Sequence, residues 1–337
     1  MRSWALAVLA SCSFHPGMAS SSDDAAAGAD VADAAPAPWW NTEWSRRLPL
    51  TIDNVTGAEL AAGFQIGVPF DLDAAPCSSS VGNYSDVRVV AGSDELARVV
   101  DPVGPPEWTW FRLTAPIAAG ATSSGEYWLY CDNSSAPILD DEGSAVFDFY
   151  DPFDTLDTTT WTANGTATAM NGELMCPGGG NDNGVVTKSA YPAMQHAVDF
   201  AETLANGSAD WWGGFQTGTA DLRPWSLWYA LAIDAVAPSY VDTGSSSNIL
   251  MGTNVPTDKD EHIYGVEDYA GSAVYRRDDA VFGSLAYAPE LAPPASFGLR
   301  LWNNTNKGGY DVRFDWIRLR QAASPPPDVI VGSAEAR

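Results

Sequence analysis

The sequence predicts an all-β protein of two β-sandwich domains, carried behind an export leader and a disordered tether. Three observations predict it. Apolar residues recur with period two along much of the chain. Clusters of Gly, Pro, Asn and Ser cut it into short segments. No stretch of the mature chain has the period of an amphipathic helix of normal length. The 337 residues suit about two domains, and 45% hydrophobic residues are enough for real cores.

The leader comes first. Met1-Arg2-Ser3 opens on a short apolar run from Trp4 to Ala10, which ends Leu9-Ala10-Ser11-Cys12. A basic start, an apolar stretch and small residues mark an export signal. A cysteine directly after Leu-Ala-Ser reads more narrowly, as a bacterial lipoprotein signal over residues 1–12, with Cys12 as the lipid-bearing mature N-terminus. The protein is then expected on the outer membrane or cell surface, joined to the membrane through that lipid alone. No later stretch approaches the roughly 18 apolar residues of a spanning helix. Residues 13–38 are rich in Ala, Asp and Pro and have almost nothing to bury, so they read as a flexible tether. A tether of about 26 residues spreads over something on the order of 25–30 Å.

The first folded block spans residues 39–142. Leu48, Leu50 and Ile52 alternate with Pro49, Thr51 and Asp53; Phe64, Ile66, Val68, Phe70 and Leu72 alternate with polar or small residues. Further strands are expected at 87–90, 108–113 and 127–130. The polar stretch 134–142 reads as a boundary. The second block spans residues 143–322. Its clearest strand is 225–233, where Trp225, Leu227, Tyr229, Leu231 and Ile233 share one face, and another lies at 312–320. The tail, 323–337, opens on a run of prolines and holds a possible edge strand at Asp328–Val331.

Net charge is -26, from 43 Asp and Glu against 17 Lys and Arg. Such a surface repels nucleic acid and anionic lipid and suits cations, calcium included. It also keeps an exported protein soluble. With Cys12 lipidated, Cys77, Cys131 and Cys176 remain, which allow one bridge and leave one thiol over. The sequence does not choose the pair; Cys77 with Cys131 is favoured because both fall in the first block. No C-x-x-C occurs, which argues against zinc.

The residues Trp40-Asn41-Thr42-Glu43-Trp44-Ser45-Arg46-Arg47, then Asp86-Val87-Arg88-Val89, Trp110-Phe111-Arg112-Leu113 and Tyr127-Trp128-Leu129-Tyr130 resemble a bacterial family of domains of unknown function, number 2341. The family usually has Tyr-Gly-Asn where this chain has Tyr130-Cys131-Asp132-Asn133. That resemblance implies a β-sandwich on a surface-exposed protein and no catalytic residues. In the second block, Val146-Phe147-Asp148-Phe149-Tyr150-Asp151-Pro152-Phe153-Asp154, Asn171-Gly172-Glu173-Leu174 and Phe314-Asp315-Trp316-Ile317-Arg318-Leu319 resemble the opening, second and closing strands of a concanavalin A-like jelly roll of laminin-G or glucanase type. In related jelly rolls a calcium ion joins the first and last strands. The resemblance implies Asp151 or Asp154 beside Asp315, with a backbone oxygen near Gly172.

Glucanases of that fold carry E-x-D-x-x-E on one strand, which puts nucleophile and acid/base on one concave face. This chain has no Glu followed two positions later by Asp. Asp258-Lys259-Asp260-Glu261 is the nearest acidic cluster, and Pro256 suggests a loop there. His196 and His262 have no metal-ligand spacing. Neither G-x-S-x-G, nor a P-loop, nor G-x-G-x-x-G occurs. Sugar binding needs exposed aromatic faces beside amides and carboxylates. Trp211, Trp212, Trp228, Trp302 and Asn304 are the candidates for it. The leading expectation is a noncatalytic surface lipoprotein whose jelly roll binds a glycan or another surface partner. A structural spacer or adhesin subunit is the second reading. A polysaccharide hydrolase or lyase is the third, and two carboxyl groups in a Trp-lined cleft would favour it.

Overall fold

The computed structural model describes residues 38–70, 77, 84–101, 107–139, 142–180, 183–192, 194–206, 209, 211–216, 226–232, 235–242, 247–249, 258–269, 272–286 and 297–337, with backbone alone for 212, 226–232, 235–242, 247–249, 282 and 285. Cys12 and the tether lie outside the described residues.

The first sandwich is built from β1 (Arg46–Asp53), β2 (Gln65–Phe70), β3 (Arg88–Ala91), β4 (Asp94–Leu96), β5 (Arg98–Asp101), β6 (Glu107–Arg112) and β7 (Thr122–Cys131). One sheet runs β1-β7-β3-β4, and the other runs β2-β6-β5. The alternation read from the sequence sets the core: Leu48, Leu50, Ile52, Ile66 and Val68 are all buried, and they meet Val87, Val89, Phe111 and Leu129 between the sheets. Cys77 and Cys131 are disulfide-bonded inside this core, with a Cα–Cα distance of 5.5 Å. Cys176 is a buried free thiol in the second sandwich.

A short helix, α1 (Gly143–Val146), follows the boundary stretch and leads into the second sandwich. Its strands are β8 (Phe149–Asp151), β9 (Trp161–Asn164), β10 (Thr168–Met170), β11 (Glu173–Cys176), β12 (Asn183–Thr187), β13 (His196–Leu204), β14 (Trp211–Gln216), β15 (Ser226–Ala232), β16 (Ala235–Asp242), β17 (Ser247–Ile249), β18 (His262–Tyr269), β19 (Ser272–Arg277), β20 (Ala280–Ala286), β21 (Gly298–Asn303) and β22 (Val312–Gln321). One sheet has the order β10-β11-β22-β13-β18-β19-β20, with β8 also on β22, and the facing sheet has the order β17-β16-β15-β14-β21-β12-β9. All pairings are antiparallel, and Val198, Phe200, Phe215, Leu299, Leu301, Ile317 and Leu319 fill the space between the sheets.

The tail does not extend the second sandwich. β23 (Asp328–Val331) and β24 (Glu335–Ala336) both pair with β1, so the chain returns to the edge of the first sheet. Val329, Val331 and Ala334 pack on the first core, and Arg47 reaches Glu335 at 2.7 Å. The two sandwiches belong to one compact unit, Trp40–Arg337. Val99 and Trp110 of the first sandwich pack with Val146 and Phe147 of α1 and its flank at the junction.

Candidate ligand cleft at the junction of the sandwiches

Successive strand residues face opposite sides of a sheet. On β13, β18 and β22 this sends Val198, Phe200, Val266, Ile317 and Leu319 into the core. The other face then carries Asp199, Gly265, Glu267, Arg318 and Arg320. Register sets Asp199 opposite both Arg318 and Gly265, and Ala197 opposite both Arg320 and Glu267. The side chains form a chain of alternating charge that runs out of the first sandwich. Arg318 binds Asp101 of β5 at 2.7 Å and Asp199 at 2.9 Å. Arg320 binds Asp199 at 2.7 Å and Glu267 at 3.0 Å, and Arg276 of β19 closes the series on Glu267 at 3.0 Å. Burial works to raise the Asp199 carboxyl, but Arg320 and Arg318 outweigh it and hold it below its ordinary value. A methyl group at Gly265 would lie 2.8 Å from Asp199 Oδ1, so this strand passes under the carboxylate because the position is glycine.

Aromatic rings from both sides of the junction lie against this network. The Arg318 guanidinium sits 4.7 Å from the Trp110 ring, 4.7 Å from Phe147 and 4.6 Å from Trp316. Trp110 Nε1 donates to Asp101 at 2.8 Å. Trp108 stacks on Trp110 with centroids 5.7 Å apart and planes at 23°. A β-carbon at Gly67 would come within 2.8 Å of both indoles, so both rings lie flat across β2. Beyond them opens a cleft of about 300 Å³, walled by Trp108, Trp110 and Pro69, floored by the ion network, and rimmed by Asp279, Pro326 and Asp328. That volume is at the lower end for small-ligand pockets. Trp108 is half-buried and Asp279 exposed. Although Asp279 keeps contact with solvent, its carboxyl stands in the low-dielectric mouth of the cleft. Desolvation there, and after it the charge of Asp199, push it up to about 6.

The residues expected from the sequence fall elsewhere. Trp211 is fully buried, edge-on to Phe200 and Tyr264 in the core, because alternation along β14 turns it inward with Phe215. It offers no platform. Trp302 faces the opposite side of that sheet but is 3% exposed, with the Arg300 guanidinium 3.4 Å from its ring centre and Arg300 in turn bonded to Gln216. Its ring is therefore covered, not open. Trp212 stands opposite Trp302, and Trp228 opposite Gly214, so register groups these positions; the two side chains lie outside the described residues. Asn304 is half-buried after β21.

Asp154, Gly172 and Asp315 line a second cleft of about 270 Å³ with Tyr150 and Trp316. Asp151 is not part of it: its carboxylate accepts from Trp161 Nε1 at 2.5 Å and from the Phe153 N–H at 2.8 Å. Among the described residues no group of three His, Cys, Asp or Glu is arranged to hold a metal ion. The acidic residues at this cleft are Asp154 and Asp315, hard oxygen donors that suit calcium better than a softer metal. Asp258, from the acidic cluster, binds His262 at 2.8 Å and Arg277 at 3.5 Å. Burial opposes the protonated His262 ring, but bonds to Asp278 and Asp258 raise its pKa.

Sequence reasoning missed the junction cleft. One signal was present: Arg318 and Arg320 alternate with Ile317 and Leu319 along β22, a pattern that gives the strand a second, polar face.

No family model matches the chain, so the likeness of the first block to family 2341 stands on its residues alone. No curated protein matches either. Solved structures do match. One comes from work on endo-acting O-glycanases of the human gut microbiota: 16% identical, covering 52% of this chain and 99% of that one, TM-score 0.40. A β-1,3-glucanase from Mycobacterium marinum is 14% identical over 51% of this chain and 98% of its own, TM-score 0.40. The endo-β-1,3-glucanase from Pyrococcus furiosus is 12% identical over 55% and 95%, TM-score 0.40.

Proposed function

We propose that this chain is a noncatalytic glycan-binding protein of the bacterial cell surface, held by lipid at Cys12, whose ligand occupies the junction cleft. The observation that carries the reading is the half-buried Trp108 ring, stacked on Trp110 and standing in a cleft beside Gln321 and Asp279. A sugar presents an apolar C–H face to such a ring and hydroxyls to the polar groups at its edge. A structural calcium between Asp154 and Asp315 would tie the turn after β8 to β22, its partner strand in the second sandwich.

Two observations favour binding over cleavage. The seven strands of the sheet β17-β16-β15-β14-β21-β12-β9 carry a single carboxyl residue, Asp242. Glycoside hydrolysis needs two. In the cleft, Asp199 and Glu267 are already committed to arginines. A hydrolase reading draws on Asp279, poised near 6 beside ionised Asp199. Release of reducing sugar from a polysaccharide panel would establish that alternative. The direct test is a glycan array probed with the full chain, with and without chelator. Binding to a defined sugar set is expected, and binding to none in either condition removes the proposal.

A further inference from the structure

The cleft has an excess of negative charge at its mouth. Asp101, Asp199 and Glu267 are matched by Arg318, Arg320 and Arg276. Asp279 and Asp328 also line or rim the opening, both are exposed, and neither enters a salt bridge among the described residues. Asp279 stands beside Trp108, whose Nε1–H comes near its carboxyl but short of hydrogen-bonding geometry. Pro69, Pro326 and Val329 add apolar wall and no donor.

An aromatic ring flanked by uncompensated carboxylates suits a cation. The ring quadrupole attracts an ammonium group, and a carboxylate accepts its charge-assisted hydrogen bonds. A uronic or sulfated sugar would instead meet two spare carboxylates and arginines that are already paired. We infer that the cleft takes a glycan bearing free amino groups, with a sugar face on Trp108 and an ammonium at Asp279. This rests on the glycan-binding reading above and narrows its ligand to one chemical class. The carboxyl of Asp279 titrates near 6, so the preference for an amino sugar fades at pH 5.

The test is calorimetric titration of the full chain at pH 6.5 and low salt. Its ligands are a glucosamine tetrasaccharide, the fully N-acetylated tetrasaccharide and cellotetraose. The amino sugar is expected to bind about fivefold more tightly than its acetylated counterpart, the scale of one solvent-accessible ion pair. Asp279 has a left-handed backbone, φ 63°, which asparagine tolerates. Asp279→Asn therefore removes the charge and keeps the turn. It should erase the preference, so that the amino and acetylated sugars bind with equal affinity. Equal affinity for the amino and acetylated sugars overturns the inference and leaves the glycan-binding reading standing. A preference that survives in Asp279→Asn also overturns it. Binding of none of the three overturns the inference, and the array above decides the glycan-binding reading separately.

Discussion

Arg318 donates from Nη1 to both carboxylate oxygens of Asp101, at 2.7 and 2.9 Å, across the junction of the two sandwiches. The side chains are 3% and 5% exposed. Taking two such ions out of water costs several kcal/mol each, on the order of what their attraction returns. The gain lies in position: Arg318 also binds Asp199, so one guanidinium fixes β5 against β13 and β22 and sets Trp110 over the network. The cleft exists because that contact holds the two sandwiches in one arrangement.

Removing one partner should therefore be costly. Arg318→Ala leaves Asp101 and Asp199 buried with a missing cation, and we expect a loss of about 3–5 kcal/mol in urea denaturation. The double replacement Asp101→Leu with Arg318→Met, which leaves no unpaired charge between them, should recover much of that loss. Equal destabilisation by the single and double variants would contradict this account of the junction.

The disulfide encloses a sequence separation of 54 residues. On the loop-entropy model, removing it costs about 4 kcal/mol. Cys77→Ser with Cys131→Ser should lower the unfolding midpoint by a corresponding amount, and mild reductant should act on the wild type in the same direction. Cys176 is buried and desolvation raises its thiol, so it should resist thiol reagents until the chain unfolds.

Asp279 gives stability a definite pH dependence. Its folded-state carboxyl sits near 6, above the unfolded value of about 3.9. The folded chain therefore keeps this proton after the unfolded chain has lost it. Its contribution is complete below the unfolded value and disappears as pH rises from about 4 to about 6. Asp279→Asn should match the wild type at pH 4 and gain on it by pH 7. The gain should be about 1 kcal/mol or less, since the residue is exposed. Denaturation curves at the two pH values check the sign.

A calcium ion at Asp154 and Asp315 would stabilise by mass action, by about 2.7 kcal/mol at a hundredfold excess over its dissociation constant. Chelation should then lower the melting temperature of the wild type and leave Asp315→Asn unmoved. A melting temperature indifferent to chelator removes the ion.

The strands that were legible are those whose one face is buried in an alternating pattern. Period-two alternation foretold β1 and β2, and the tail strand Asp328–Val331 stands where an edge strand was expected. What it could not reveal was the partner. β23 pairs with β1 across almost the whole chain, and no local pattern encodes such a contact. The candidate site was misread for a related reason. A Trp-Trp pair must put one ring inside, and at β14 that ring is Trp211. Trp302 reached the outer face but met Arg300, two positions away on the same strand. Nothing local sets Trp108 and Trp110 apart from core residues of β6. Their role emerges when the sheet of the second sandwich brings Arg318 beneath them. Arg318 and Arg320 differ from Arg313 and Asp315 of the same strand in being largely closed off from water, and charges so placed demand buried partners.

The account stands most directly on Trp108. Affinity for the best sugar from a glycan array should be measured for the wild-type chain and for Trp108→Ala, with unfolding curves confirming that both are folded. Loss of one stacking ring predicts at least a tenfold fall in affinity, about 1.4 kcal/mol. Undiminished binding by Trp108→Ala would contradict the cleft as the site.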